Sequence, residues 1–207
     1  MKILLGVLVL SLASAIQVVP IPKYYDGYYL GPAHSNYTLE TFIDLLCPKS
    51  AAAFPALIQY YTQNQHWLEL IIHQSPMSYN TFSFPVSQAG KFVLEKKSER
   101  YLDWVYYWFQ HQQSFTNNTA SYDFYTANNK IAQFTSQSTG LPINQVTQAL
   151  SNQDFNTKAR VSWKFGASRN IPGTPSYLLN GVWVPDAYNI TTVAGWTSFF
   201  QAISSGN

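Results

Sequence analysis

Residues 37–46 read Tyr-Thr-Leu-Glu-Thr-Phe-Ile-Asp-Leu-Leu, an alternating run with enough β-branched and aromatic members for a strand. Cys47-Pro48 breaks it. Proline suits the first position of a helix, where its missing N–H is no loss, so a helix is expected to follow. Residues 50–61 have that composition, with Pro55 expected to kink the helix. Residues 67–73 (WLELIIH) form a second predicted strand, apolar enough to be covered on both faces. From 86 to 113 the period turns helical and takes in the aromatic run 104–109, which is expected to pack a core. Further helical pieces fall at 122–135, 144–150 and 156–165, with Gly166 as the expected terminator. Ser176 to Leu179, Asn180-Gly181 and Val182 to Val184 spell strand, turn, strand. An amphipathic helix over 191–203 closes the pattern, with Val193, Trp196, Phe199, Phe200 and Ile203 on one face. Ahead of all this, residues 16–36 are rich in Pro, Tyr and Gly and read as an extended lead-in with turns.

The 207 residues are 46% hydrophobic and only 11% charged, which excludes a generic disordered tail, and the length fits one domain, or one domain with a sizeable insertion. A formal net charge of +2 offers no basic stripe, so nucleic acid is not an expected partner. The N-terminus changes the picture more. Lys2, the apolar run Ile3 to Leu12 and Ala13-Ser14-Ala15 make a secretory signal peptide over 1–15, with a mature start near Ile16. The run is too short for a membrane span, which takes ~20 apolar residues. Asn36, Asn117 and Asn189 head N-x-S/T tripeptides, and glycosylation of at least one is expected. Neither a retention signal nor a lipid-anchor tail is read at the C-terminus. The expected address is therefore the secretory pathway: the extracellular space, or the lumen of a vacuole or lysosome.

One cysteine excludes any intramolecular disulfide and any cysteine-based zinc cluster. His34, His66, His73 and His111 show no ligand spacing, so no metal site is expected, and His73 reads as a satisfied structural residue. Cys47 itself falls where a strand ends and a helix begins. A helix start presents unpaired N–H groups and the positive end of the dipole, Lys49 adds a cation, and thiolates are nucleophiles. The alternative is a small buried hydrophobe, the usual fate of a free cysteine.

The segment Phe42-Ile43-Asp44-Leu45-Leu46-Cys47-Pro48-Lys49-Ser50 resembles the active-site segment of DsbA-like thiol oxidoreductases of the thioredoxin superfamily. Their pattern is a hydrophobic strand, often with an acidic residue three before the cysteine, then C-P-x-C. The stretch Ile171-Pro172-Gly173-Thr174-Pro175-Ser176-Tyr177-Leu178-Leu179-Asn180-Gly181 is similar to the family's cis-proline loop and the hairpin behind it. The helical block between them matches the family's inserted helical domain in place and size. The resemblance implies an α/β, thioredoxin-like fold with its first part over 37–85, a helical insertion over 86–166 and its second part over 167–207.

By that resemblance Cys47 is the nucleophile, flanked by Pro48 and Lys49, and Ser50 stands where the resolving cysteine would be. Ser50 is a candidate hydrogen-bond donor to the Cys47 sulfur. Pro175 would carry the cis bond, with Thr174 facing Cys47 and its backbone pairing with an extended client segment. Asp44 would lie beneath the site, or be no more than a polar residue at a strand end. A C-x-x-S motif cannot store a disulfide. What it permits is attack on a client disulfide to give a mixed disulfide, resolved by a client thiol or by glutathione. That chemistry serves isomerisation, deglutathionylation or holding of secreted client proteins, and needs no cofactor beyond glutathione as a candidate resolving thiol. Two other readings stay open: a non-catalytic module binding extended peptides, and an enzyme like the glutathione transferases that share the fold.

Overall fold

A computed structural model describes residues 26–33, 35–116 and 119–205. The predicted signal peptide over 1–15, the start near Ile16, most of the lead-in, His34 and the sequon residue Asn117 lie outside the described residues.

Among the described residues five strands form one sheet in the order β1-β3-β2-β4-β5: β1 (Tyr28–Leu30), β2 (Tyr37–Ile43), β3 (Leu68–Gln74), β4 (Ser176–Leu179) and β5 (Val182–Trp183). β2 and β3 are parallel, joined by helix α1 (Pro48–Asn64), and every other pair is antiparallel. The register sets Leu39 beside Leu70 and Leu179, and Phe42 beside His73 and Ser176. Alternation then gives β2 two buried faces. Tyr37 and Leu39 share theirs with Tyr177 and meet α1 and the final helix α8 (Val193–Ser205), where the Tyr60 and Phe200 rings stack at 5.3 Å. Phe42 faces the other way, against His73 and Phe165.

Between β3 and β4 come α2 (Ser83–Lys96), α3 (Tyr101–His111), α4 (Gln113–Thr116), α5 (Phe124–Thr139), α6 (Ile143–Leu150) and α7 (Gln153–Ser168). The aromatic run packs as expected: Trp104, Val105 and Trp108 are fully buried, and the Trp104 indole donates to Thr135 Oγ1. Caps follow ordinary chemistry. Asp123 accepts from the Thr126 amide at the start of α5 and Asn152 from the Asp154 amide at the start of α7, while Gly140, at φ 73°, ends α5.

Several boundaries differ from the sequence reading. β2 stops at Ile43 rather than 46, because the Asp44 side chain captures the Leu46 amide and its carbonyl the Cys47 amide, closing a turn. The lead-in holds an edge strand, β1. The helix expected over 86–113 is two, separated at Lys97 by a φ/ψ of −158°/56°. α1 runs unbroken past Pro55. Gly166 does not end α7; it lies inside the helix facing Phe42, and Asn170, at φ 54°, marks the turn beyond.

A buried ionic group ties β1's entry to three elements. Asp26 accepts from Lys91 Nζ at 2.5 Å and from Ser162 Oγ at 2.8 Å, and lies 2.8 Å from His73 Nδ1; the other ring nitrogen of His73 is 3.1 Å from Glu40. His73 is thus the satisfied structural residue that its apolar strand suggests. Among the described residues no helix is long and apolar enough to cross a membrane.

Candidate functional site

Cys47 is the N-cap of α1, in extended conformation, with Pro48 taking the first helical position. The turn made by Asp44 aims it. Asp44 is itself locked: its carboxylate accepts from the Leu46 and Met77 amides, Asn80 Nδ2 and Ser83 Oγ, at 2.5 to 2.9 Å. Burial pushes the Asp44 pKa up from the ordinary carboxylate value, against the downward pull of those four donors. Asp44 is therefore both a strand-end residue and the brace that holds the 75–83 loop to the thiol turn.

Opposite the thiol stands the loop before β4. The Thr174-Pro175 peptide is cis, and the Cys47 thiol donates to the Thr174 carbonyl with Sγ and O 3.1 Å apart. The two halves of the chain that carry the motifs, 127 positions apart, meet here. Cys47 is 6% exposed. Ser50 is wholly buried one turn along α1, where its Oγ accepts from the Asp44 amide at 3.5 Å. No hydrogen bond joins it to Cys47, so the donor role expected for Ser50 is not seen: its hydroxyl points at the turn instead.

Lys49 is exposed and donates from Nζ to the Tyr188 hydroxyl at 2.6 Å. That bond raises the lysine pKa above its ordinary value. Tyr188 belongs to a short 3-10 turn, Pro185–Asn189, that follows the hairpin. With Pro172, Tyr177, Trp183, Val184 and Pro185 it lines a largely apolar cleft of about 380 Å³ beside the cis-proline loop. Tyr79, 67% exposed, also stands near enough to Cys47 and Asp44 that they add to partial burial in raising its pKa. Tyr79 and Tyr188 were not singled out by sequence; neither sits in a motif, and both arrive through loops far along the chain. The hairpin turn is as predicted, with Asn180 at φ 50° and Gly181 at φ 79°.

Of the sequon residues described, Asn36 and Asn189 are both exposed. Asn36 lies at the start of β2, where its carbonyl accepts from Asn180 Nδ2, and Asn189 follows directly on Tyr188. Among the described residues no three His, Cys, Asp or Glu side chains cluster as metal ligands would.

Comparison with known proteins agrees with this fold. Residues 25–197 match the family model described as Thioredoxin. No curated protein matches the sequence significantly. Among solved structures, BdbD from Bacillus subtilis in its oxidised form is 14% identical with a TM-score of 0.68, covering 85% of this chain and 91% of its own. A protein-disulfide isomerase from Novosphingobium aromaticivorans is 16% identical at a TM-score of 0.67, covering 86% and 97%. Chlamydia trachomatis DsbA is 13% identical at 0.65, covering 90% and 94%. At these identities the likeness is one of fold.

Proposed function

The chain belongs to the thioredoxin family, and on that premise we propose that it is a monothiol exchange protein of the secretory pathway, acting through Cys47 on the disulfides of secreted clients. The observation that carries this reading is the meeting of Cys47 Sγ with the Thr174 carbonyl at the start of α1, beside an apolar cleft. An extended client segment laid along the Thr174 backbone brings its own N–H to that carbonyl and displaces the thiol from it.

Freed and deprotonated to solvent, Sγ attacks one sulfur of the client disulfide. The Sγ–S bond forms as the client S–S bond breaks, and the other client sulfur departs as a thiolate. Cys47 is thereby oxidised to half of a mixed disulfide and the departing sulfur is reduced. With serine at position 50, a client thiol or glutathione must attack the adduct and return Cys47 as thiolate. When the attacking thiol belongs to the client, the net result is isomerisation. The apolar N-terminal run and the exposure of Asn36 and Asn189 support passage through the secretory pathway with glycans attached.

Burial of the thiol favours a second reading, a module that binds extended peptides without chemistry. One experiment separates them. Incubated with a peptide disulfide, the protein is expected to form a covalent adduct visible by mass, reversed by glutathione and absent in Cys47→Ala. Peptide binding retained in Cys47→Ala, with no adduct in the parent, would establish the module instead.

A further inference from the structure

Among the described residues Lys49 has no carboxylate partner. Its ammonium donates to the Tyr188 hydroxyl, and no ion pair joins it to a carboxylate among those residues. The first turn of α1 carries no acidic residue, and the oxygens of Asp44 are already committed to four donors. Asp186 shares the turn with Tyr188 and yet makes no salt bridge to Lys49. The charge sits two residues from Cys47, and its partner Tyr188 lines the cleft, whose lining includes no charged side chain. An incoming segment that fills the cleft with an apolar side chain therefore passes close to a positive charge that no carboxylate of the described residues meets.

We propose that Lys49, positioned by Tyr188 at the mouth of the cleft, reads a carboxylate on the client, so that the preferred substrates are extended segments with an acidic residue beside the half-cystine. This deepens the exchange reading and rests on it. Tyr188 acts as a positioning residue: it fixes the ammonium on the cleft side of the thiol, where a free lysine would sweep a wide arc of solvent. The raised lysine pKa is in keeping, since the cation is the form the phenol holds. An exposed ion pair is a modest discriminator and is weakened by salt, and the expected preference scales accordingly.

The test uses two extended pentapeptides, identical except for Glu or Lys next to a cysteine that carries a nitrothiophenol leaving group, with release of the chromophore as the readout. The parent protein is expected to favour the Glu peptide by about fivefold at low ionic strength, less at high salt. Lys49→Gln is expected to bring the ratio near unity and Lys49→Glu to reverse it. Tyr188→Phe should keep the direction and shrink the size. The ratio is blind to any change in thiol reactivity common to both peptides. Equal rates in the parent, or an unchanged preference in Lys49→Glu, overturn the proposal. If neither peptide exchanges, the exchange reading fails, and binding of the same pair with serine for cysteine decides this one. Tighter binding of the Glu version by the parent but not by Lys49→Glu supports it; equal binding overturns it.

Discussion

Ser50 is fully buried in the first turn of α1, three residues on from Cys47, with its hydroxyl turned to the Asp44 amide. Exchanging its oxygen for sulfur changes little volume, so Ser50→Cys is expected to fold with a loss of about 1 kcal/mol or less. The variant should gain what the natural chain lacks: treated with glutathione disulfide it forms an internal disulfide and loses both free thiols. The serine parent under the same treatment stops at one glutathione adduct. Thiol titration before and after treatment reads the difference, and two persisting free thiols would show the geometry to be wrong. At this scale much was legible beforehand. Cys47, Pro48, Ser50, Thr174 and Pro175 lie in short contiguous motifs, and local sequence carries them. Tyr79 and Tyr188 do not, because each reaches the site only through tertiary folding of a loop. The orientation of Ser50 was also hidden, since the Asp44 turn that captures its hydroxyl depends on four donors, two of them from the loop before α2 and one from the start of α2 itself.

Among the elements, α2 depends on one small residue. A β-carbon at Gly90 would lie 1.9 Å from Gln74 Nε2 and 2.6 Å from the Trp104 ring. Gln74 is also held by the Tyr101 hydroxyl, so it has little freedom to retreat. Alanine is the better helix former by ~1 kcal/mol, yet overpacking of this kind costs ~1–3 kcal/mol or more. Gly90→Ala is accordingly expected to destabilise the protein by about 2 kcal/mol in urea unfolding. A stabilised variant would mean that α2 stands further from β3 than described. Sequence pattern finds elements well where they are long or carry a turn signature: α1, β3, α8 and the Asn180-Gly181 hairpin all stand where periodicity placed them. It fails where a tertiary contact sets the boundary. β1 is three residues long and exists by pairing with β3, and Gly166 serves packing against Phe42 rather than helix termination.

For the molecule as a whole, Asp26 joins the start of the described chain to β3, α2 and α7 through His73, Lys91 and Ser162. Burial opposes its charge, but Lys91 and His73 outweigh that and hold its pKa well below the ordinary carboxylate value. A group depressed on folding contributes stability that is present above the unfolded-state pKa, near 3.8, and is lost as pH falls toward the folded one. Asp44 works in the opposite sense. Its raised pKa favours the fold most below pH 3.8, and that contribution fades as pH rises through the folded value. Asp26→Asn leaves Lys91 buried without its counter-charge and is expected to cost ~3–5 kcal/mol at neutral pH. It should also flatten the fall in stability below pH 3.8, because the carboxylate that must be protonated is gone. Denaturant unfolding across pH 2–7 measures both effects, and an undiminished acid slope in the variant would count against the assignment.

The pairing of Cys47 with Thr174 has a consequence in time. The thiol leaves the ribosome 127 residues ahead of the carbonyl that receives it. At ~5–20 residues per second that interval lasts on the order of ten seconds. Throughout it β2 lacks β4, the hairpin that clasps Thr38 and Asn36 through Asn180 is unmade, and the sequon at Asn36 and the thiol at Cys47 are both open. Capture of Cys47 by any passing disulfide thus belongs to a window of synthesis that closes when the last strands arrive and the Thr174 carbonyl takes the thiol.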